Sequence, residues 1–181
     1  AVARGAKNKF IIADMPFLSC SKGLEHAVGA VQQLIQAGAQ AVKIEGAAHQ
    51  LALIKHIVEA GIPVMGHLGL TPQSIHNLGG HKVQAKNDQD AEKLSRDAAA
   101  LEAAGCFAIV LECIPTYLGR LVSEALQIPT IGIGAGPHTN GQVLVLHDRL
   151  GVNPDFTPKF LRRYADSHHS ILSAVNQFHG D

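Results

Sequence analysis

Two stretches of the chain carry the same pattern and finish on a glutamate. The first is Ala37-Gly38-x-x-Ala41-Val42-Lys43-Ile44-Glu45, and 67 positions further on comes Ala104-Gly105-x-x-Ala108-Ile109-Val110-Leu111-Glu112. Each reads as a helix closed by a glycine, then a short apolar strand, then a carboxylate where the strand gives out. Gly61-Ile62-Pro63-Val64 after the first copy is echoed by Gln127-Ile128-Pro129-Thr130 after the second. A repeated helix-to-strand unit predicts a parallel α/β sheet. In such sheets ligands gather at the C-terminal ends of the strands, so the two glutamates mark a candidate active site as well as a fold.

Apolar runs predict six strands, roughly 9–13, 41–44, 64–66, 108–111, 130–133 and 142–146, with helices over 23–36, 50–59, 88–103, 116–125 and 158–178. Residues 88–103 open on Asp88, place Ala91, Leu94, Ala98 and Leu101 at helical spacing, and end near Gly105. The strands are apolar at successive positions rather than alternating, the mark of a parallel sheet covered on both faces. Six βα units fit either a doubly wound open sheet or most of an eightfold barrel. No linker, low-complexity segment or charge block interrupts the chain, so residues 1–181 are expected to form one domain. The segment 70–87, rich in glycine and polar residues, is expected to cover the site.

The 181 residues include 15 Lys plus Arg and 15 Asp plus Glu. With no basic run, nothing recommends a nucleic acid or an anionic membrane surface, and a small molecule is the expected partner. No apolar stretch approaches the ~20 residues of a membrane span. Cys20, Cys106 and Cys113 are an odd number without zinc spacing, which argues for a reducing, cytoplasmic compartment and against a disulfide scaffold.

Asp14 ends the strand Phe10-Ile11-Ile12-Ala13, and Glu45 ends the next one. Two hard oxygen donors on neighbouring strand tips, with no Cys or His at ligand spacing, suit Mg²⁺ better than zinc, although either alone also reads as a loop or capping carboxylate. Lys43 shares a strand face with Glu45, and in so apolar a strand it needs an anionic partner: Glu45 itself or a substrate carboxylate. Glu112, among Leu111, Cys113 and Ile114, reads as a general base or as a solvated acid at a strand end. His67, in Gly66-His67-Leu68-Gly69-Leu70-Thr71-Pro72, is a structural histidine or a support to the site. Gly132-Ile133-Gly134-Ala135-Gly136 lacks the spacing of a nucleotide-binding turn and reads as a place of close backbone approach.

Taken in order, several runs resemble the ketopantoate hydroxymethyltransferase family. They are Ala13-Asp14-Met15-Pro16-Phe17, Val42-Lys43-Ile44-Glu45-Gly46, Gly66 through Thr71-Pro72-Gln73-Ser74, Gly79-Gly80-His81-Lys82-Val83-Gln84, Leu111-Glu112-Cys113-Ile114-Pro115, Ile131 through Gly136, and Gly141 through His147-Asp148. The resemblance implies a (β/α)₈ TIM-type barrel and transfer of a hydroxymethyl group from 5,10-methylenetetrahydrofolate to 3-methyl-2-oxobutanoate, giving 2-dehydropantoate. It further implies Mg²⁺ on Asp14 and Glu45, substrate contacts from Asp14 and Lys43, Glu112 as the proton acceptor and a homo-oligomer. The family pattern begins with two further βα units, the second bearing a Gly-Asp-Ser motif, and neither lies in these residues. The expected barrel is therefore incomplete, about six units lacking the first two. His81, Ala85 and Lys86 stand where the family more usually has Tyr, Gly and Arg. Two other readings follow from these departures: a silent or complemented fragment of that enzyme, or another Mg-enolate enzyme of the phosphoenolpyruvate mutase and isocitrate lyase type.

Overall fold

The computed structural model describes residues 1–180, and along them helices and strands alternate. The order is α1 (Val2–Gly5), β1 (Ile12–Asp14), α2 (Leu24–Gln36), β2 (Ala41–Glu45), α3 (Leu51–Glu59), β3 (Val64–Gly69), α4 (Asp88–Ala103), β4 (Ala108–Glu112), α5 (Thr116–Ala125), β5 (Thr130–Ile133), β6 (Gly141–Gln142), α6 (Leu146–Arg149) and α7 (Ser167–Gly180). The chain divides into two compact units, the first Ala1–Gly141 and the second beginning at Gln142.

The strands form one sheet in sequence order, β1-β2-β3-β4-β5-β6, and each pair from β1 to β5 is parallel. A doubly wound sheet reverses its strand order at a switch point, and this one does not. Right-handed crossovers that always step the same way put every helix on the same side of the sheet. The packing bears this out. Val42, Ile44, Val64, Leu68, Ile109 and Leu111 bury one strand face against Ala27 and Val31 of α2, Leu53, Ile54 and Ile57 of α3, Leu94, Ala98 and Leu101 of α4, and Leu118 and Val122 of α5. The opposite face holds a smaller cluster, Met65, Ala108 and Val110 with Ile12, Phe107, Ile131 and Ile133 packed on it. That second face, apolar at its base, also carries Asp14, Lys43, Glu45, His67 and Glu112 by strand alternation.

Local chemistry sets the element ends. The side chain of Asn87 caps α4, its Oδ1 accepting from the Asp90 N–H at 2.9 Å, while Asp88 and Asp90 place negative charge on the first turn, where the helix dipole favours it. The helix stops at Gly105, whose φ of +96° is open to glycine at little cost; a β-carbon there would also strike Val58. Strand β3 runs to Gly69, beyond the expected 64–66, because pairing continues on both sides: Glu45 with His67, and Gly69 with Glu112. His67 therefore lies inside a strand. Gly69 has φ +89°, and a β-carbon on it would sit 2.1 Å from the Glu112 carbonyl oxygen.

The second unit departs from the sequence expectation. Residues 142–146 read as a strand, yet only Gly141–Gln142 is one. The Val145 and Leu146 carbonyls instead accept from the Arg149 and Leu150 N–H groups, so the apolar run turns into α6. The helix expected over 158–178 starts at Ser167. Asp166 bonds the His169 ring at 2.7 Å and its backbone N–H at 3.4 Å, which makes it the helix cap. Before it, Arg163 donates to the carbonyls of Asn153, Pro154 and Phe156 and holds the chain in a non-helical loop. The Asp166 carboxyl is held below its usual range by hydrogen bonding to His169.

Replacing Gly69 tests how far β4 depends on this close approach. Gly69→Ala is expected to lower unfolding stability by about 3 kcal/mol or more, from left-handed backbone strain plus the clash with Glu112. Gly29→Ala, in mid-α2 where a β-carbon meets nothing within 4 Å, is expected to raise it by up to about 1 kcal/mol. Urea unfolding of both variants measures the contrast, and equal effects would contradict it.

Candidate active site

Parallel register brings the charged residues into rows across the inner face. Asp14 pairs with Lys43, Glu45 with His67, and Glu112 follows one step higher, opposite Gly69 and Ile133. Beyond each strand end the next backbone N–H is donated to the neighbouring strand. Met15 donates to the Lys43 carbonyl at 3.0 Å, Gly46 to His67 at 2.9 Å, Leu70 to Glu112 at 2.8 Å and Cys113 to Ile133 at 2.8 Å. Each functional side chain thus leaves a backbone fixed on its own strand and its neighbour. Cys113 adopts φ +48°, a left-handed conformation uncommon for a non-glycine residue, and its carbonyl accepts from the Gln84 N–H at 2.8 Å.

The side chains form a connected row. Lys43 Nζ lies 2.9 Å from Asp14 Oδ1, 3.8 Å from Glu45 Oε1 and 3.0 Å from His67 Nδ1. His67 Nε2 is 3.2 Å from Glu112 Oε2 but off the line of a formed hydrogen bond. Side-chain exposure is 64% at Asp14, 15% at Lys43, 11% at Glu45, 3% at His67 and 16% at Glu112, so the row starts in solvent, is most deeply buried at His67 and is partly exposed again at Glu112. Three carboxyl groups meet one ammonium, and negative charge is in surplus. The structure therefore brings together all five residues singled out from the sequence. The acid nearest Lys43 is Asp14, which the strand pattern alone did not suggest as its partner, with Glu45 at longer range. It also places Glu112 beside an imidazole, and its surroundings are not the purely apolar ones its sequence neighbours suggest.

Among the described residues no group of three or more His, Cys, Asp or Glu is arranged to hold a metal. Asp14 and Glu45 are two hard donors on adjacent strands, and Mg²⁺ is commonly bound through one or two carboxylates with water and substrate oxygens completing its shell. The surplus negative charge and the exposed Asp14 carboxylate fit a divalent cation.

The segment 70–87 reaches over the strand ends, as its composition suggests. The Gln73 N–H bonds Glu45 Oε2 at 3.0 Å, and its side-chain amide donates to the Met15 carbonyl at 2.8 Å, tying the segment to β2 and to the exit of β1. Nothing in the sequence signals this role for Gln73 except its place within the longest specific run. Beside Glu45 a cavity of about 690 Å³ is lined by Gly69, Thr71, Ser74, Asn77, Gln84 and Lys93, among others. In the glycine-rich run 132–136, a β-carbon on Gly136 would strike Thr116 at the start of α5.

All three cysteines are free thiols. Burial pushes Cys106 up to about 11 and also raises Cys113, where the negative charge of Glu112 adds to burial.

Comparison with known proteins gives a consistent result. The sequence model of the family described as ketopantoate hydroxymethyltransferase matches residues 1–181. A 3-methyl-2-oxobutanoate hydroxymethyltransferase of Coxiella burnetii (strain Dugway 5J108-111) is 58% identical over 179 residues, 98% of this chain and 67% of that protein. The proteins of that name from Legionella pneumophila (strain Philadelphia 1) and Bdellovibrio bacteriovorus (strain HD100) are 55% and 53% identical, over 98% and 99% of this chain and 68% of each relative. Among solved structures, a Burkholderia cenocepacia J2315 protein described as a phosphonomutase superposes with a TM-score of 0.50 at 15% identity, covering 69% of this chain and 54% of that one. At that identity the likeness concerns the fold alone.

The influence of Glu112 on Cys113 is measurable. Glu112→Gln removes a nearby negative charge that disfavours the thiolate, so the Cys113 pKa falls and its alkylation by iodoacetamide at about pH 8 is expected to quicken. Mass spectrometry of the modified peptide follows the rate. An unchanged rate would show that the Glu112 charge does not act on this thiol.

Proposed function

The chain belongs to the ketopantoate hydroxymethyltransferase family, and on that premise we propose that it adds a hydroxymethyl group to 3-methyl-2-oxobutanoate to give 2-dehydropantoate. The observation that carries the reading is the row Asp14, Lys43, His67 and Glu112 on one sheet face, with Lys43 beside the exposed Asp14 and the Glu112 carboxylate at the other end, across the buried His67. Lys43 is placed to bind the carboxylate of an α-keto acid. Glu112, seated on a backbone clamped by Leu70 and by the strand ladder, is the base that removes the C3 proton. Asp14 and Glu45 would hold Mg²⁺, with Asp14 also near the substrate. Such a cation, when bound, supplies positive charge where the keto acid gathers negative charge as the proton leaves. The hydroxyl oxygen comes from water: hydrolysis of the folate's methylene bridge frees tetrahydrofolate and leaves the one-carbon unit at the level of formaldehyde. The enolate carbon of the keto acid attacks that carbon, and the Glu112 carboxyl returns its proton to the resulting alkoxide.

The one-carbon donor in this reading is 5,10-methylenetetrahydrofolate. The cavity of about 690 Å³ beside Glu45 has the volume of a small-molecule site and polar groups from the segment 70–87 on its wall. The sheet in this reading is an arc of a (β/α)₈ barrel, six consecutive strands of its wall. A homo-oligomer is part of the proposal, since Phe10, Phe17, Leu24, Tyr117 and Leu121 are large apolar residues left exposed. No helix of the described residues is long and apolar enough to cross a membrane. A cytoplasmic setting fits the three free thiols.

Deuterium exchange at C3 of 3-methyl-2-oxobutanoate, followed by NMR with Mg²⁺ and without folate, isolates the first step. Glu112→Gln is expected to slow exchange by about 10²–10⁴-fold while Mg²⁺ binding stays nearly intact. Loss of metal binding instead would mean that Glu112 has another role. Asp14→Asn is expected to weaken Mg²⁺ and keto acid together in calorimetry, and unchanged keto acid binding would count against a shared site.

A further inference from the structure

From the hydrogen-bonding inventory of one buried imidazole, we propose that His67 is the positioning residue that couples substrate binding to proton abstraction, aiming Lys43 through Nδ1 and Glu112 through the proton on Nε2. The inference rests on the roles given above to Lys43 and Glu112 and assigns how the two are held relative to each other.

The Lys43 ammonium has only donors, so at 3.0 Å it obliges His67 Nδ1 to accept. The ring proton of the neutral imidazole then sits on Nε2. That nitrogen is buried and has no aligned hydrogen-bond partner among the described residues. Buried polar groups are rarely left so, and the acceptor in reach is Glu112 Oε2 at 3.2 Å. Catalytic hydrogen bonds are often long or poorly aligned before substrate arrives and tighten in the loaded site. A donor on Oε2 occupies one carboxylate oxygen and leaves Oε1 to meet the C3 hydrogen. Glu45 Oε1, at 3.9 Å from Nδ1, is beyond hydrogen-bond range and does not compete for the ring.

The ring itself has little freedom. His67 lies inside β3, paired with Glu45 on one side and Val110 on the other, and its carbonyl accepts from the Gly46 N–H. One rigid side chain therefore sets the separation between the cation that binds the acid and the base that attacks it. A histidine suits this place because its two nitrogens can do opposite jobs, accepting at one edge and donating at the other.

Opposite jobs can be removed separately. In histidine replacements the asparagine amide sits near the Nδ1 position and the glutamine amide near Nε2. His67→Asn keeps an acceptor for Lys43 and removes the donor to Glu112, whereas His67→Gln does the reverse. For C3 exchange in the full chain with Mg²⁺, His67→Asn is expected to lower kcat about ten- to hundredfold at a nearly unchanged KM, the worth of one charge-assisted hydrogen bond. His67→Gln is expected to raise KM for the keto acid about tenfold or more with kcat largely kept. A purely structural histidine would give the same loss in both variants, and that result, or no change in either, would overturn the proposal. Independent of activity, nitrogen NMR of the wild-type chain, with the His67 ring assigned through its connectivity to the His67 backbone, reads the tautomer directly. A proton on Nε2 is expected, and a proton on Nδ1 would overturn the assignment even if neither variant folds. A wild-type chain with the expected tautomer but no exchange would instead sink the proposed reaction while supporting the hydrogen-bond geometry.

Discussion

Four backbone hydrogen bonds along the C-terminal edge of the sheet fix the strand ends from which the row of charged side chains projects. The N–H groups of Met15, Gly46, Leu70 and Cys113 each cross to the carbonyl of the next strand, at Lys43, His67, Glu112 and Ile133. Singly such a bond adds only about 1 kcal/mol net. Their effect here is geometric, because side-chain direction in a strand alternates strictly and a slip of one residue would turn the whole row toward the helices. Gly69 makes the third crossing possible: with any β-carbon at that point, Leu70 could not bring its N–H to the Glu112 carbonyl.

Charge inside an apolar sheet has to be organised or it destabilises. A lysine on the inner face of β2 would lose hydration with little return unless acceptors surrounded it. Asp14, Glu45 and the Nδ1 of His67 surround Lys43 from three directions. The arrangement is graded, with Asp14 in solvent and His67 sealed within the sheet. The exposed end is open to water, and the histidine at the buried centre is held still by the strand ladder. Under the proposed roles, the acid-binding Lys43 and the proton acceptor Glu112 belong to one row.

Much of this was legible in the sequence, for a physical reason. The repeat ending in Glu45 and Glu112 encodes its structure locally: glycine ends the helix, an apolar run makes the strand, and the acid follows where the strand stops. Hence α4 and α5 match their expected bounds, and the five polar residues converge as expected. His67 was harder to read, because one histidine in an apolar run reads equally as a structural residue or a support to the site; its place opposite Glu45 and Val110 comes from strand pairing, and pairing is not local. The same limit hid Gln73, whose bond to Glu45 spans 28 positions. In the second unit the apolar run from Gln142 to Leu146 has the composition of a strand, but a strand is defined by its ladder, and Val145 and Leu146 spend their carbonyls on a helical turn instead. Asp166 likewise delays α7 through a cap that hydrophobic spacing does not report.

On the proposed reading, this row of side chains carries out hydroxymethyl transfer to an α-keto acid. The most direct measurement is carbon NMR of the purified chain with Mg²⁺, 3-methyl-2-oxobutanoate and 5,10-methylenetetrahydrofolate labelled with ¹³C in its one-carbon bridge. The label is expected in the hydroxymethyl group of 2-dehydropantoate, bonded to the former C3, and Lys43→Met and Glu112→Gln are both expected to suppress it. Folded chain that leaves the label on the folate, or transfers it equally well without Glu112, would contradict the account.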